Sequence, residues 1–170
     1  MILKNLVFGK GTWRKDWIKA KAMRIVLHAS PKCSDVGYHE SNVLSDRCIC
    51  FRANYDKKTK LEAEVECSKE KGSIVQIESG LKHDAILQFI QDETQPGSAF
   101  LVDGSDEAVE DNWRLSDGRP LYVVWRAGEP AQCCKRYEHC VEIYNDGTTN
   151  DIQCSLKLPF LCEKHCYDAI

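Results

Sequence analysis

Apolar and polar positions change period several times along the chain, and each change predicts an element. Cys48-Ile49-Cys50-Phe51 is apolar and aromatic enough for a short first strand. Thr59, with Glu62 three residues on, forms a capping box, and Leu61, Ala63 and Val65 follow in a helix that Gly72 ends. Ser73-Ile74-Val75-Gln76-Ile77 runs like a buried strand. A second helix is predicted from Ser79 to about Glu93, with Ile86, Phe89 and Ile90 on one face and Gln95-Pro96-Gly97 breaking it. Beyond Phe100 the helical period gives way to loops and short strands. The stretch from Asp117 to Tyr144 carries Pro120, Gly128 and Pro130 and few regular periods, a length that in a folded domain marks a functional loop. No internal repeat or low-complexity tract is present.

Composition narrows the class. Ten cysteines in 170 residues are dense for a cytosolic chain and suit a secreted disulfide framework. A net charge of −3 gives no electrostatic reason to expect nucleic acid. The length fits one domain with a core of its own, and no apolar run approaches the roughly 20 residues of a membrane span. Residues 1–32 are basic: Lys4, Lys10, Arg14, Lys15, Lys19, Lys21 and Arg24 interrupt every apolar stretch, so no signal-peptide core is legible. Trp13, Trp17, Ile18 and Met23 interleave with them, which also fits a basic amphipathic helix on a membrane surface. The expectation for this segment is a flexible leader or a start that is not the native one, followed by a domain over 33–166 and a tail over 167–170.

Six cysteines and the motifs beside them carry a resemblance. Cys33 and Cys48 come first, Cys67 closes the first helical pattern, and Cys140, Cys154 and Cys162 punctuate the last third. Trp125-Arg126-Ala127-Gly128-Glu129-Pro130 precedes Cys140, Asn150-Asp151 precedes Cys154, and Cys162 sits in Phe160-Leu161-Cys162-Glu163. Together these resemble a C-type lectin-like domain. The resemblance implies an α+β fold, two helices packed on small antiparallel sheets with a long ligand-binding loop, and the pairings Cys33–Cys48, Cys67–Cys162 and Cys140–Cys154. In that fold the first and last strands pair antiparallel, which implies a further bridge, Cys50–Cys166. Cys133 and Cys134 are adjacent in the long loop and either bridge each other or link two chains into a disulfide-bonded oligomer. A zinc site built from Cys162, His165 and Cys166 with Cys133, Cys134 and His139 matches no common ligand spacing, and both histidines read as exposed.

The remaining chemistry is rich in oxygen. Glu129, Glu138 and Asp151 supply carboxylates and Asn150 an amide oxygen, the hard ligands that Ca²⁺ takes. The resemblance makes Glu129-Pro130 the start of a Glu-Pro-Asn calcium motif with a cis proline, Glu138 the acidic ligand before the loop cysteine, and Asn150-Asp151 the ligand pair on the next strand. Two positions depart from the pattern: Ala131 replaces the motif asparagine, and Thr149 stands where a tryptophan precedes Asn150. A weaker auxiliary calcium position keeps Asp106 and Glu110, while Gln132 and His139 stand where oxygen ligands are expected. Glu142, Asp146 and Asp103 read as solvated surface, and Trp113 and Trp125 as core anchors. No nucleophile in a recognisable turn and no phosphate loop is present, so the chain reads as a binding module, not an enzyme. The expected function is a secreted, extracellular lectin for glycans or glycoproteins, of the mannose, fucose or glucose type, with calcium as cofactor. The alternative is a calcium-independent module for a protein, mineral or ice surface.

Overall fold

A computed structural model of the chain describes residues 33, 37–41, 44, 48–131 and 137–166, all within one compact unit, Lys32–Tyr167. The basic segment 1–32, the tail 167–170, Gln132, Cys133 and Cys134 lie outside the described residues.

Among the described residues nine elements follow in chain order: β1 (His39–Glu40), β2 (Ile49–Lys58), α1 (Lys60–Lys69), β3 (Ser73–Ile74), α2 (Gly80–Glu93), β4 (Ala99–Ser105), β5 (Cys140–Tyr144), β6 (Thr149–Ile152) and β7 (Leu158–His165). The fold is α+β with two helices among the described residues, as the resemblance implies, and its strands join in one mixed sheet. The first strand is longer than its apolar run, because β2 continues to Lys58 by pairing with β7 past a register shift. The capping box is present: Thr59 Oγ1 accepts from Glu62 N, and Thr59 N donates to Glu62 Oε2 at 2.9 Å. Such a cap contributes about 1 kcal/mol. Helix α1 ends at Lys69, three residues before the predicted glycine, and buries only Ala63 and Cys67, leaving Leu61 and Val65 exposed. Ser79 caps α2 by accepting from Lys82 N. The 3.6 period of α2 turns Ala85, Ile86, Phe89 and Ile90 inward, and Phe89 meets Phe51 of β2 with ring centroids 5.6 Å apart.

The sheet runs β1-β2-β7-β4-β5-β6, with β3 added beside β7. All neighbours are antiparallel except β4 and β7. Only two residues of the predicted strand Ser73–Ile77 are in β3. The rest continues its bonding irregularly, Val75 N donating to Leu161 O and Asp103 N to Val75 O, which ties the segment to both β7 and β4. The main core joins Phe51, Phe100 and Leu161 to the inner face of α2, and Trp113 and Trp125 pack against its edge.

Among the described residues four disulfides reinforce this frame: Cys33–Cys50, Cys48–Cys166, Cys67–Cys162 and Cys140–Cys154. The expected Cys33–Cys48 and Cys50–Cys166 bridges are therefore corrected. The reason is register. Ile49 lies opposite His165 in the β2–β7 ladder, and Cys166 N donates to Cys48 O, so Cys48 stands directly across from Cys166. Cys50 lies two residues along, opposite Lys164, and closes on Cys33 instead.

Candidate functional site

The site is assembled by the way the long loop returns to the sheet. Thr149 N donates to Val124 O and Arg126 N donates to Thr149 O, at 2.8 and 2.9 Å, laying Trp125 parallel to the start of β6. A turn follows in which Glu129 N donates to Arg126 O, and the Glu129–Pro130 bond is cis. On the other side β5 and β6 pair as a hairpin, Val141 opposite Asp151 and Glu142 opposite Asn150. Cys140–Cys154 locks the open end of that hairpin and fixes the chain immediately after Glu138. Thr149 is fully buried and its backbone is bonded on the loop side, so the strand keeps its place without the tryptophan that Thr149 replaces.

This returns Glu129 to the side of Asp151 and Glu138. Asp151 is 2% exposed, and neither of its carboxylate oxygens has a hydrogen-bond donor. Burying an ionised carboxylate without donors or a cation is costly. Partial burial, then the charge of Asp151, then a hydrogen bond to Asp151 that Glu129 can donate only when protonated, and last the charge of Glu138 hold the Glu129 carboxyl above its usual range, while the Ala131 backbone N–H works the other way. Glu129 thus has two acids near it, a crowding of carboxylates that a cation would relieve. Asn150 does not turn its amide nitrogen toward them: its Nδ2 donates to Glu142 at 3.1 Å. A calcium ion held by Glu129, Glu138, Asp151 and the Asn150 amide oxygen would supply charge neutralisation and open coordination positions for hydroxyl oxygens. The donor set consists of hard oxygens, the chemistry such an ion takes.

The auxiliary position fits less well. Asp106, Glu110 and His139 bring one ligand atom each within 4.8 Å of one another. However, Asp106 already accepts from Asp111 N at 2.9 Å, and its other oxygen lies 2.9 Å from His139 Nδ1. An imidazole nitrogen is a poor calcium ligand, so His139 is a partner of Asp106 and not an exposed bystander.

Two further readings are corrected. Asp103 is fully buried, bonded to Ser116, Gln76 and Lys60, and Glu142 is 6% exposed between Tyr144 and Asn150. Asp146 is exposed and caps Thr148. Trp113 and Trp125 meet edge to face at 5.1 Å against the core, which gives them a packing role. Of the cysteines weighed as zinc ligands, Cys162 and Cys166 are consumed in disulfides.

With this geometry in place, residues 56–164 match the family model of the lectin C-type domain. The chain belongs to the C-type lectin domain family. It is 25% identical over 118 residues to the hepatic lectin of Gallus gallus, covering 68% of this chain and 54% of that protein, and 31% identical over 105 residues to Collectin-43 of Bos taurus, covering 60% and 32%. The chain thus spans between a third and about half of these relatives. Its fold is that of the mouse scavenger receptor C-type lectin carbohydrate-recognition domain, with a TM-score of 0.65, 23% identity and coverage of 78% of this chain and 96% of that one. It is equally that of a calcium-independent type II antifreeze protein, with a TM-score of 0.64, 21% identity and coverage of 82% and 99%. A C-type lectin domain is a binding module, not an enzyme, and family and fold leave the ligand to be argued from the site.

Proposed function

We propose that this C-type lectin domain binds glycans through one calcium ion held by Glu129, Glu138, Asn150 and Asp151, in an extracellular setting consistent with its four disulfides. The observation that carries the reading is Asp151, a buried carboxylate whose two oxygens have no donor and which lies beside the Glu129 carboxyl. Vicinal sugar hydroxyls would complete the ion's shell and bond to the groups that hold it. Glutamate before proline favours the mannose, fucose or glucose arrangement of hydroxyls. Retention on immobilised mannan in calcium, with release by chelator, tests this directly.

A second reading is favoured by Ala131, whose methyl supplies neither the ion oxygen nor the sugar-facing N–H of the motif asparagine. On that reading the domain engages a protein, mineral or ice surface without calcium, as the likeness to a calcium-independent antifreeze protein allows. Binding that is indifferent to chelator, or absent from every glycan tested, selects it.

A further inference from the structure

Glu142 is an acid that the calcium reading does not use, yet it is buried beside the site. It projects from β5 directly across from Asn150 of β6, on the same face of the hairpin. One oxygen, Oε1, accepts from both Tyr144 Oη at 2.7 Å and Asn150 Nδ2 at 3.1 Å. Tyr144 is itself held by Arg126, whose guanidinium lies 4.8 Å over the ring. Arg126 belongs to the loop strand that bonds Thr149, so the tyrosine, the glutamate and the amide form a chain from the loop to the metal ligand.

The chemistry of the pair decides which way the amide faces. An ionised carboxylate only accepts, so the atom of Asn150 that approaches it must be the nitrogen. Nitrogen and oxygen lie on opposite sides of the amide carbon, so anchoring Nδ2 on Glu142 presents Oδ1 on the side away from it. An amide without that anchor would sample both orientations, and only the one with oxygen outward ligates a cation.

We infer that Glu142 is a positioning residue for the calcium site, holding Asn150 with its oxygen available to the ion. This rests on the calcium reading above. Ligands in metal sites are commonly fixed in this way by outer hydrogen bonds, whose removal costs about 10- to 100-fold in metal affinity.

The test compares wild type, Glu142→Leu and Glu142→Gln by calcium titration calorimetry, alongside thermal melting in chelator. Leucine keeps the volume but offers no acceptor, whereas glutamine can still accept from Nδ2 through its own carbonyl. The expected result is a roughly tenfold or greater loss of calcium affinity in Glu142→Leu, recovered to within about threefold by Glu142→Gln. The side-chain amide resonances of Asn150 should move in the leucine variant before any calcium is added. Equal calcium affinity in wild type and Glu142→Leu, with both folded, overturns the inference and leaves the calcium site standing. Absence of calcium binding by wild type overturns the functional reading and this inference together. Should Glu142→Leu not fold, Glu142→Ala takes its place with the same two outcomes: a roughly tenfold loss of calcium affinity that Glu142→Gln recovers supports the positioning role, and wild-type affinity in folded Glu142→Ala refutes it.

Discussion

Lys60 Nζ lies 3.2 Å from Asp103 Oδ1, joining the first turn of α1 to the middle of β4 inside the protein. The other oxygen of Asp103 accepts from Ser116 N and Ser116 Oγ at 2.8 Å and from Gln76 Nε2 at 3.0 Å. Burial alone would raise this carboxyl, but those donors and the Lys60 charge hold it below the usual range. Removing one partner of a buried pair strands the others. Asp103→Ala is expected to cost about 3–5 kcal/mol at neutral pH, read by urea denaturation. A lowered folded pKa gives stability that is present above the unfolded value, about 3.9, and lost as pH falls through the folded one, so the penalty should shrink only in strong acid. A loss under about 1 kcal/mol at pH 7 would show that the network is dispensable.

Lys82 and Glu163 behave in the opposite sense. Their charged atoms are 2.8 Å apart and both residues are buried. Here burial dominates and raises the Glu163 carboxyl, with Lys82 only partly offsetting it. A raised folded pKa gives stability that is complete below the unfolded value and lost as pH rises through the folded one. Lys82→Met should therefore destabilise by roughly 3–5 kcal/mol at neutral pH and by progressively less as pH falls, because the raised Glu163 carboxyl takes up a proton more readily than a free glutamate. A penalty independent of pH would assign the loss to packing against Phe51, whose ring lies 5.6 Å from the ammonium.

Calcium should raise the melting temperature, by linkage worth about 2.7 kcal/mol at a hundredfold excess over Kd. Asp151→Asn removes the buried charge that faces Glu129, so it should abolish this response while leaving the chelated protein as stable as wild type or more so. Because the Glu129 carboxyl is raised, the calcium-free domain gains stability as pH falls toward the ordinary glutamate range, and the calcium response shrinks over the same interval. Melting curves unchanged up to ten-millimolar calcium would remove the site.

Ala131→Asn restores the missing amide beside Pro130. Binding to mannose-type glycans should strengthen about tenfold, the worth of one charge-assisted hydrogen bond of about 1.5 kcal/mol. A glycan-array profile that ignores the substitution would place any sugar elsewhere.

The disulfides make a ranked prediction. Cys67–Cys162 closes a sequence separation of 95 and Cys140–Cys154 one of 14. Replacing the first pair by serine should cost roughly 1–2 kcal/mol more than replacing the second, as longer loops lose more entropy on closure. Peptide mapping without reduction should recover Cys33 linked to Cys50 and Cys48 linked to Cys166. Recovery of Cys33–Cys48 would contradict the register of β2 and β7.

The sequence by itself determined the local elements and the order of the motifs. Thr59 with Glu62, the apolar face of Ile86, Phe89 and Ile90, and the run Trp125–Pro130 before Asn150-Asp151 are short-range patterns, set by caps, helical period and motif spacing. Only the tertiary structure decided which side chains are buried and which cysteines meet. Asp103 and Glu142 look like surface acids because a carboxylate's burial depends on donors brought from elsewhere: Ser116 and Lys60 for one, Tyr144 and Asn150 for the other. Cys48 and Cys50 differ by two residues, so composition cannot choose between them as partners of Cys166. The ladder of β2 against β7 chooses, because a strand's register fixes every cross-strand pair at once.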